Sequence, residues 1–254
     1  LTVESISNQS IFNHDWEDLA AGEDRKLYIG DFGNNHNSRH NLTIYVIEQD
    51  SSGNLENGMQ PIITFRYPDQ KEFPPPPTNW NYDCEAFFYY NDSLYLFSKN
   101  VSARNRGFTK MYRLSSEPGD YIAELIDSFN IGEPVTAADI SSDGKIIVLL
   151  TYFSLLVFTD YSNSDFFKGN AYQIRLKGYT QKEGICFATG NQLFIADEKR
   201  FVTGGKIYAL DLNLLSSSFK DGNRKKSIIK KAVYNLVNNP KRKYKEIMRS
   251  VSPQ

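Results

Sequence analysis

Asp15-Trp-Glu17-Asp-Leu-Ala20 is followed, ten residues after Glu17, by Leu27-Tyr28-Ile29-Gly30-Asp31. The same order recurs in Asp83-Cys-Glu85-Ala-Phe-Phe88, followed by Leu94-Tyr95-Leu96-Phe97-Ser98. It recurs again in Gln181-Lys-Glu183-Gly-Ile-Cys186, followed by Leu193-Phe194-Ile195-Ala196-Asp197. Thr136-Ala-Ala-Asp139-Ile140 leads through a shorter Asp-Gly turn to Ile146-Ile-Val-Leu-Leu150. Three of the units then carry a strand with an Ile-Tyr-like pair: Ile44-Tyr45, Met111-Tyr112 and Ile207-Tyr208. The opening acids, at 17, 85, 139 and 183, stand 68, 54 and 44 residues apart. That is the range of a four-stranded propeller blade with loops of variable length.

Between these landmarks the apolar residues alternate with a period of two. Short runs rich in Tyr, Phe, Ile, Leu and Val are broken by turns such as Asp50-Ser-Ser-Gly53, Ser142-Asp143-Gly144 and Gly190-Asn191. Alternation bounded by turn residues is the mark of half-buried strands. The expected fold class is therefore all-β, a β-propeller of four-stranded blades. Four blades are visible, near 17–67, 85–130, 139–177 and 183–211, and a five- or six-bladed parent is expected. Leu1 to Ser7 reads as the last strand of a preceding blade and a candidate to complete the fourth unit, which lacks an obvious outermost strand.

The chain has 254 residues, 29 basic and 30 acidic, for a net charge of −1. That total is a cancellation. Residues 220–254 hold 11 Lys+Arg against Asp221 and Glu246, or +9, and the other 219 residues carry 18 basic and 28 acidic groups, or −10. Such asymmetry marks a separate tail. The expected division is a propeller domain over 1–219 and a basic tail over 220–254. Within the tail, Ile228, Ile229, Ala232, Val233, Leu236 and Val237 follow helical spacing, so a basic amphipathic helix is expected over Ser227–Asn238. Nucleic acid or an anionic membrane could be engaged only through this tail.

Composition excludes several classes. With 40% hydrophobic and 14% aromatic residues the chain is too apolar for a disordered protein. It has no apolar run of about 18 residues of the kind that spans a bilayer as a helix. Two cysteines, Cys84 and Cys186, make no disulfide framework. Residue 1 is Leu, and no charged segment followed by an apolar one succeeds it, so a mature form or a fragment is expected. There is no Gly-x-Ser-x-Gly, His-Glu-x-x-His or phosphate-binding Gly-rich loop. His14, His36 and His40 all fall early; the spacing of four between His36 and His40 would suit zinc ligands on a helix, but they lie in an Asn-rich loop where no helix is expected.

The segment from Asp15 to Tyr45, with Leu-Tyr-Ile-Gly-Asp-Phe-Gly-Asn-Asn at its centre, resembles a group of uncharacterised, secreted, bacterial propeller-like proteins, many from Bacteroidetes. The acid-plus-Gly units, such as Glu183-Gly184-Ile185, are similar to the calcium-dependent propellers more broadly, including phytase-like, gluconolactonase-like and SdiA-regulated-like proteins. The resemblance covers roughly residues 1–211. It implies an extracellular, periplasmic or cell-surface protein, and a monomer is expected.

Acids at equivalent blade positions would converge on one channel mouth, where they need a cation or basic partners. The resemblance implies Ca²⁺ as that cation, with Glu17, Asp31, Glu85, Asp139, Glu183 and Asp197 as ligands. The alternative is structural: such acids bond backbone N–H groups of the neighbouring blade. Arg39, Lys99, Arg106 and Arg200 follow channel-facing strands and are the expected ligand-binding cations. Two functions follow as expectations: a non-catalytic propeller binding a small molecule or a protein at its channel face, or a Ca²⁺-dependent hydrolase of phosphoesters or lactones.

Overall fold

The computed structural model describes residues 11–50, 61–102, 106–176, 178, 180–200, 203–215 and 234–235. The fold is of the β-propeller class, all-β, with four successive blade-type sheets. The chain divides into two compact units, residues 1–135 and 136–254, each holding two of the sheets.

In the first unit, the first sheet consists of β1 (Trp16–Ala21), β2 (Lys26–Asp31), β3 (Leu42–Glu48) and β4 (Ile62–Arg66) as an antiparallel meander. The second is β5 (Asp83–Tyr90), β6 (Ser93–Lys99), β7 (Phe108–Ser115) and β9 (Glu124–Asn130). Between β7 and β9 the chain makes an excursion. β8 (Gly119–Ile122) leaves the second sheet and pairs parallel with β4, adding a fifth strand to the first. The expected four-stranded blades include no such fifth strand, so this pairing is a difference from expectation. Its cause is long-range: Ile63↔Gly119 and Arg66↔Ile122 are more than fifty residues apart.

One core joins the two sheets of this unit. Tyr28, Phe32, Ile44, Val46, Ile63 and Phe65 from the first pack with Phe87, Leu94, Leu96 and Tyr112 from the second. Phe32, fully buried, meets Phe65 and Phe87 edge-on, with centroids 6.4 and 5.1 Å away. Each such side chain contributes roughly 1.5–3 kcal/mol on burial. This is what the Asp-Phe-Gly of residues 31–33 does: its Phe is core, while its Asp and Gly face the site described below.

In the second unit, β10 (Val135–Ile140), β11 (Ile147–Thr151), β12 (Ser154–Thr159) and β13 (Asn170–Arg175) form the third sheet. β14 (Lys182–Phe187), β15 (Gln192–Asp197), β16 (Ile207–Asp211) and β17 (Tyr234–Asn235) form the fourth. Val148, Leu150, Leu155 and Val157 pack with Ile185, Leu193, Ile195 and Leu210. β17 pairs with β16 through Tyr208↔Asn235 and Ala209↔Tyr234. It supplies the outermost strand that the fourth repeat lacked, from within the segment expected to be helical. The rest of Ser227–Asn238, and the expected strand Leu1–Ser7, lie outside the described residues.

The repeated acid has a structural signature. In the β1–β2 ladder the register skips one residue between Trp16 and Asp18, so Glu17 is bulged. Glu85 is bulged in β5–β6, between Cys84 and Ala86, and Glu183 in β14–β15, between Lys182 and Gly184. A bulge inserts an unpaired residue and re-aims its side chain. In these three blades the acid recurs because the opening ladder breaks at the same point.

Candidate functional site

The bulges of β1 and β5 place their glutamates in one cluster in the first unit. Glu17 is pushed up to about 9, first by burial and then by the charges of Glu85, Asp15 and Asp83, with Lys99 opposing. Asp83 is pushed up to about 6, again chiefly by burial, against the hydrogen bond it accepts from the Asn34 N–H at 2.7 Å and the Lys99 charge. Lys99, at the end of β6, meets the Glu85 carboxylate at 2.6 Å. The side chains are only 13% and 6% exposed, so the pair is weakly screened. Lys99 thus pairs with Glu85 and its charge also reaches Glu17 and Asp83, and the proton held on Glu17 removes part of the carboxyls' mutual repulsion.

Gly33 closes the cluster from the loop after β2. Its N–H donates to the Asp15 carbonyl at 3.1 Å. A Cβ there would run into Glu17 Oε1 and the Asp15 carboxyl group. Both contacts are with side chains, and Glu17 can swing away. Gly33→Ala is therefore expected to leave the strand signature in circular dichroism intact and to displace the Glu17 carboxyl. The Glu17 Cδ resonance in a ¹³C spectrum should move; an unmoved resonance contradicts this close approach.

Asp31 sits beside the cluster with a different role. Its carboxylate is fully buried, and its two oxygens accept from the His14 N–H (3.2 Å), the His14 ring (3.1 Å), the Asp15 N–H (3.0 Å) and Arg39 Nη2 (3.1 Å). Arg39 spends its remaining donors on the carbonyls of Gly33, Asp31 and Asn41. These two residues hold the chain on either side of the glutamates.

Asp139 keeps the bonding pattern of Asp18 rather than that of Glu17. Asp18 accepts from its own neighbour Leu19 N at 2.9 Å and from Phe87 N, on the opening strand of the following sheet, at 3.2 Å. Asp139 accepts from Ile140 N at 2.8 Å and Phe187 N at 2.6 Å. Burial pushes Asp139 up to about 6 against these two N–H groups. In the second unit, Glu183 accepts from Gln181 at 3.2 Å and Tyr152 at 3.4 Å. Asp197 accepts from Lys206 N at 2.7 Å and the Tyr208 hydroxyl at 2.8 Å. Although burial works the other way, hydrogen bonds, first that from Thr180, hold Asp197 below its ordinary value.

Of the expected cations, only Lys99 reaches the carboxyl cluster. Arg39 is bonded within its own sheet, Arg106 is exposed, and Arg200 donates to Gln181 at 2.6 Å in the second unit. Asp15 and Asp83 had not been expected in the site.

A calcium ion takes six to eight oxygen ligands. Among the described residues no group of three or more His, Cys, Asp or Glu is arranged to hold a metal ion. Asp31 has both oxygens engaged by N–H donors, and Glu85 faces an ammonium. The described carboxylates do not fit a calcium cage.

The sequence matches no family model and no curated protein. Among solved structures, a candidate 6-phosphogluconolactonase from Bacteroides uniformis aligns with a TM-score of 0.43 and 13% identity over 76% of this chain and 52% of its own. A protein of unknown function from Desulfotomaculum acetoxidans aligns at 0.45 and 13%, over 80% and 56%. A β-1,3-galactosidase of glycoside hydrolase family 43 aligns at 0.49 and 10%, over 76% and 42%. The chain spans about half the length of these structures, and at such scores they say nothing of its chemistry.

Proposed function

We propose that the protein is a binding propeller whose recognition site is the carboxyl cluster of Asp15, Glu17, Asp83 and Glu85 with Lys99. The observation that carries this reading is the gathering of these groups, with Glu17 and Asp15 closing over Gly33 and Glu85 paired with Lys99 at 2.6 Å, and burial and the neighbouring carboxyls push Glu17 up to about 9. At neutral pH such a site offers one O–H donor, one ammonium donor and several carboxylate acceptors in a partly buried setting. That inventory suits a neutral, hydroxyl-rich ligand, which both donates and accepts. It repels phosphates and carboxylates.

The test is a thermal-shift and ¹³C NMR titration of the full chain against neutral mono- and disaccharides and the corresponding sugar phosphates. Neutral sugars should perturb the Glu17 resonance, and Glu17→Ala should abolish the effect. Preference for the phosphates would overturn the reading.

A hydrolase is the second reading, and one observation favours it. Glu17 keeps its proton beside a Glu85 that is paired with Lys99, and unequal carboxyls of this kind divide into acid and base roles. Sustained turnover of lactones or phosphoesters, reduced in Glu17→Gln, would select this reading over binding alone.

A further inference from the structure

We propose that His14, oriented by Asp31, is a proton-accepting site able to activate water against an uncharged carboxylic ester. The inference is independent of the carboxyl-cluster reading and rests on different atoms. His14 Nδ1 lies 3.1 Å from Asp31 Oδ2. The other donors to Asp31 fix the tautomer. Two are backbone N–H groups, of His14 and Asp15, and the third is the Arg39 guanidinium, which can only donate. A carboxylate receiving these bonds on both oxygens is an acceptor, so Nδ1 must carry the hydrogen. The free lone pair is then on Nε2.

Position completes the argument. The Asp31 side chain is 0% exposed, whereas that of His14 is 56% exposed. No described residue bonds Nε2. A buried, anchored carboxylate behind an imidazole that is itself more than half exposed is the arrangement that holds a general base in its working tautomer and stabilises the imidazolium once formed. Arg39, 17% exposed and bonded to Asp31 Oδ1 at 3.1 Å, keeps the carboxylate from turning away.

The step balances without a cofactor. Nε2 takes a proton from water as the water oxygen bonds to the acyl carbon. The acyl–oxygen bond then breaks, and the imidazolium returns the proton to the departing alkoxide, giving acid and alcohol. An uncharged ester is the fitting class because Asp15 and Glu17, within three residues of His14, bring a carboxyl cluster that disfavours an anionic substrate.

The test uses the full chain, with p-nitrophenyl acetate as probe and long-range ¹H–¹⁵N NMR of the imidazoles. His14→Asn is the decisive variant, since its side-chain N–H can replace Nδ1–H toward Asp31 while Nε2 is removed. His36→Gln, a residue packed on Trp80, is the control. Expected are a protonated Nδ1 on His14 and at least a tenfold fall in ester hydrolysis in His14→Asn at unchanged melting temperature. The control should retain the wild-type rate. A rate untouched by His14→Asn, or an Nδ1 without its proton, overturns the proposal. Where His14→Asn loses stability, His14→Gln takes its place, and a wild-type rate in that variant overturns the proposal equally.

Discussion

Asp31→Ala is expected to destabilise the first unit by about 3–5 kcal/mol, the usual cost of removing one member of a buried ion pair. The carboxylate is wholly inside, and its loss strands the N–H groups of His14 and Asp15 and one arm of Arg39. Water cannot easily replace it at a fully buried position, so the desolvation cost of each stranded donor is felt. Asn is a poor substitute, because its NH₂ would face donors. The readout is convenient: both tryptophans, Trp16 and Trp80, lie in residues 1–135, so intrinsic fluorescence reports unfolding of this unit alone. The urea midpoint should fall steeply with an unchanged slope. A loss below about 1 kcal/mol would mean that the four bonds to Asp31 are dispensable.

Glu17→Gln is expected to flatten the alkaline side of the stability profile. Glu17 has an ordinary value of 4.5 in the unfolded chain and about 9 in the fold. Between those values the folded state holds a proton that the unfolded state has released, so stability falls as pH rises through this window. The contribution is complete below 4.5 and is lost once pH passes 9. Asp83 and Asp139, both near 6, act in the same direction but only up to that pH, which leaves the decline from 6 to 9 to Glu17 among these carboxyls. With Glu17 partly solvent-exposed and its neighbours free to adjust, the total is on the order of 2–3 kcal/mol rather than the full shift. Gln keeps the shape and never ionises. Its melting temperature should exceed that of the wild type at pH 9 and match it near pH 5. Parallel profiles for the two proteins would refute the assignment.

The sequence made the blades legible because their inner strands are apolar runs buried on both faces. The runs Leu94–Phe97 and Ile147–Leu150 contain little that would suit another environment. β1 was harder to read as a strand, since Trp-Glu-Asp-Leu-Ala-Ala holds two acids and leaves Trp16 and Leu19 exposed. The gathering of Glu17 with Glu85 was foreshadowed by their repeat position. Its missing members carried a signal of their own: Asp15 and Asp83 each precede the bulged glutamate by two residues, and the fourth repeat has Gln181 in that place. Asp139 shares the acid but bonds as Asp18 does, to its neighbour's N–H and to one on the next sheet's opening strand, and a spacing of acids alone cannot separate an interblade anchor from a site residue. The Arg39–Asp31 bond also escaped sequence reading, because the ten-residue loop between β2 and β3 can aim an arginine either outward or back on its own sheet.

The most direct measurement of the central claim is a ¹³C NMR titration of the Glu17 side-chain carboxyl in the intact protein. The carboxyl cluster predicts a midpoint near 9 and a protonated Glu17 at pH 7. A midpoint near 4.5 would show that the carboxyls do not crowd one another, and the proposed recognition site would fall with it.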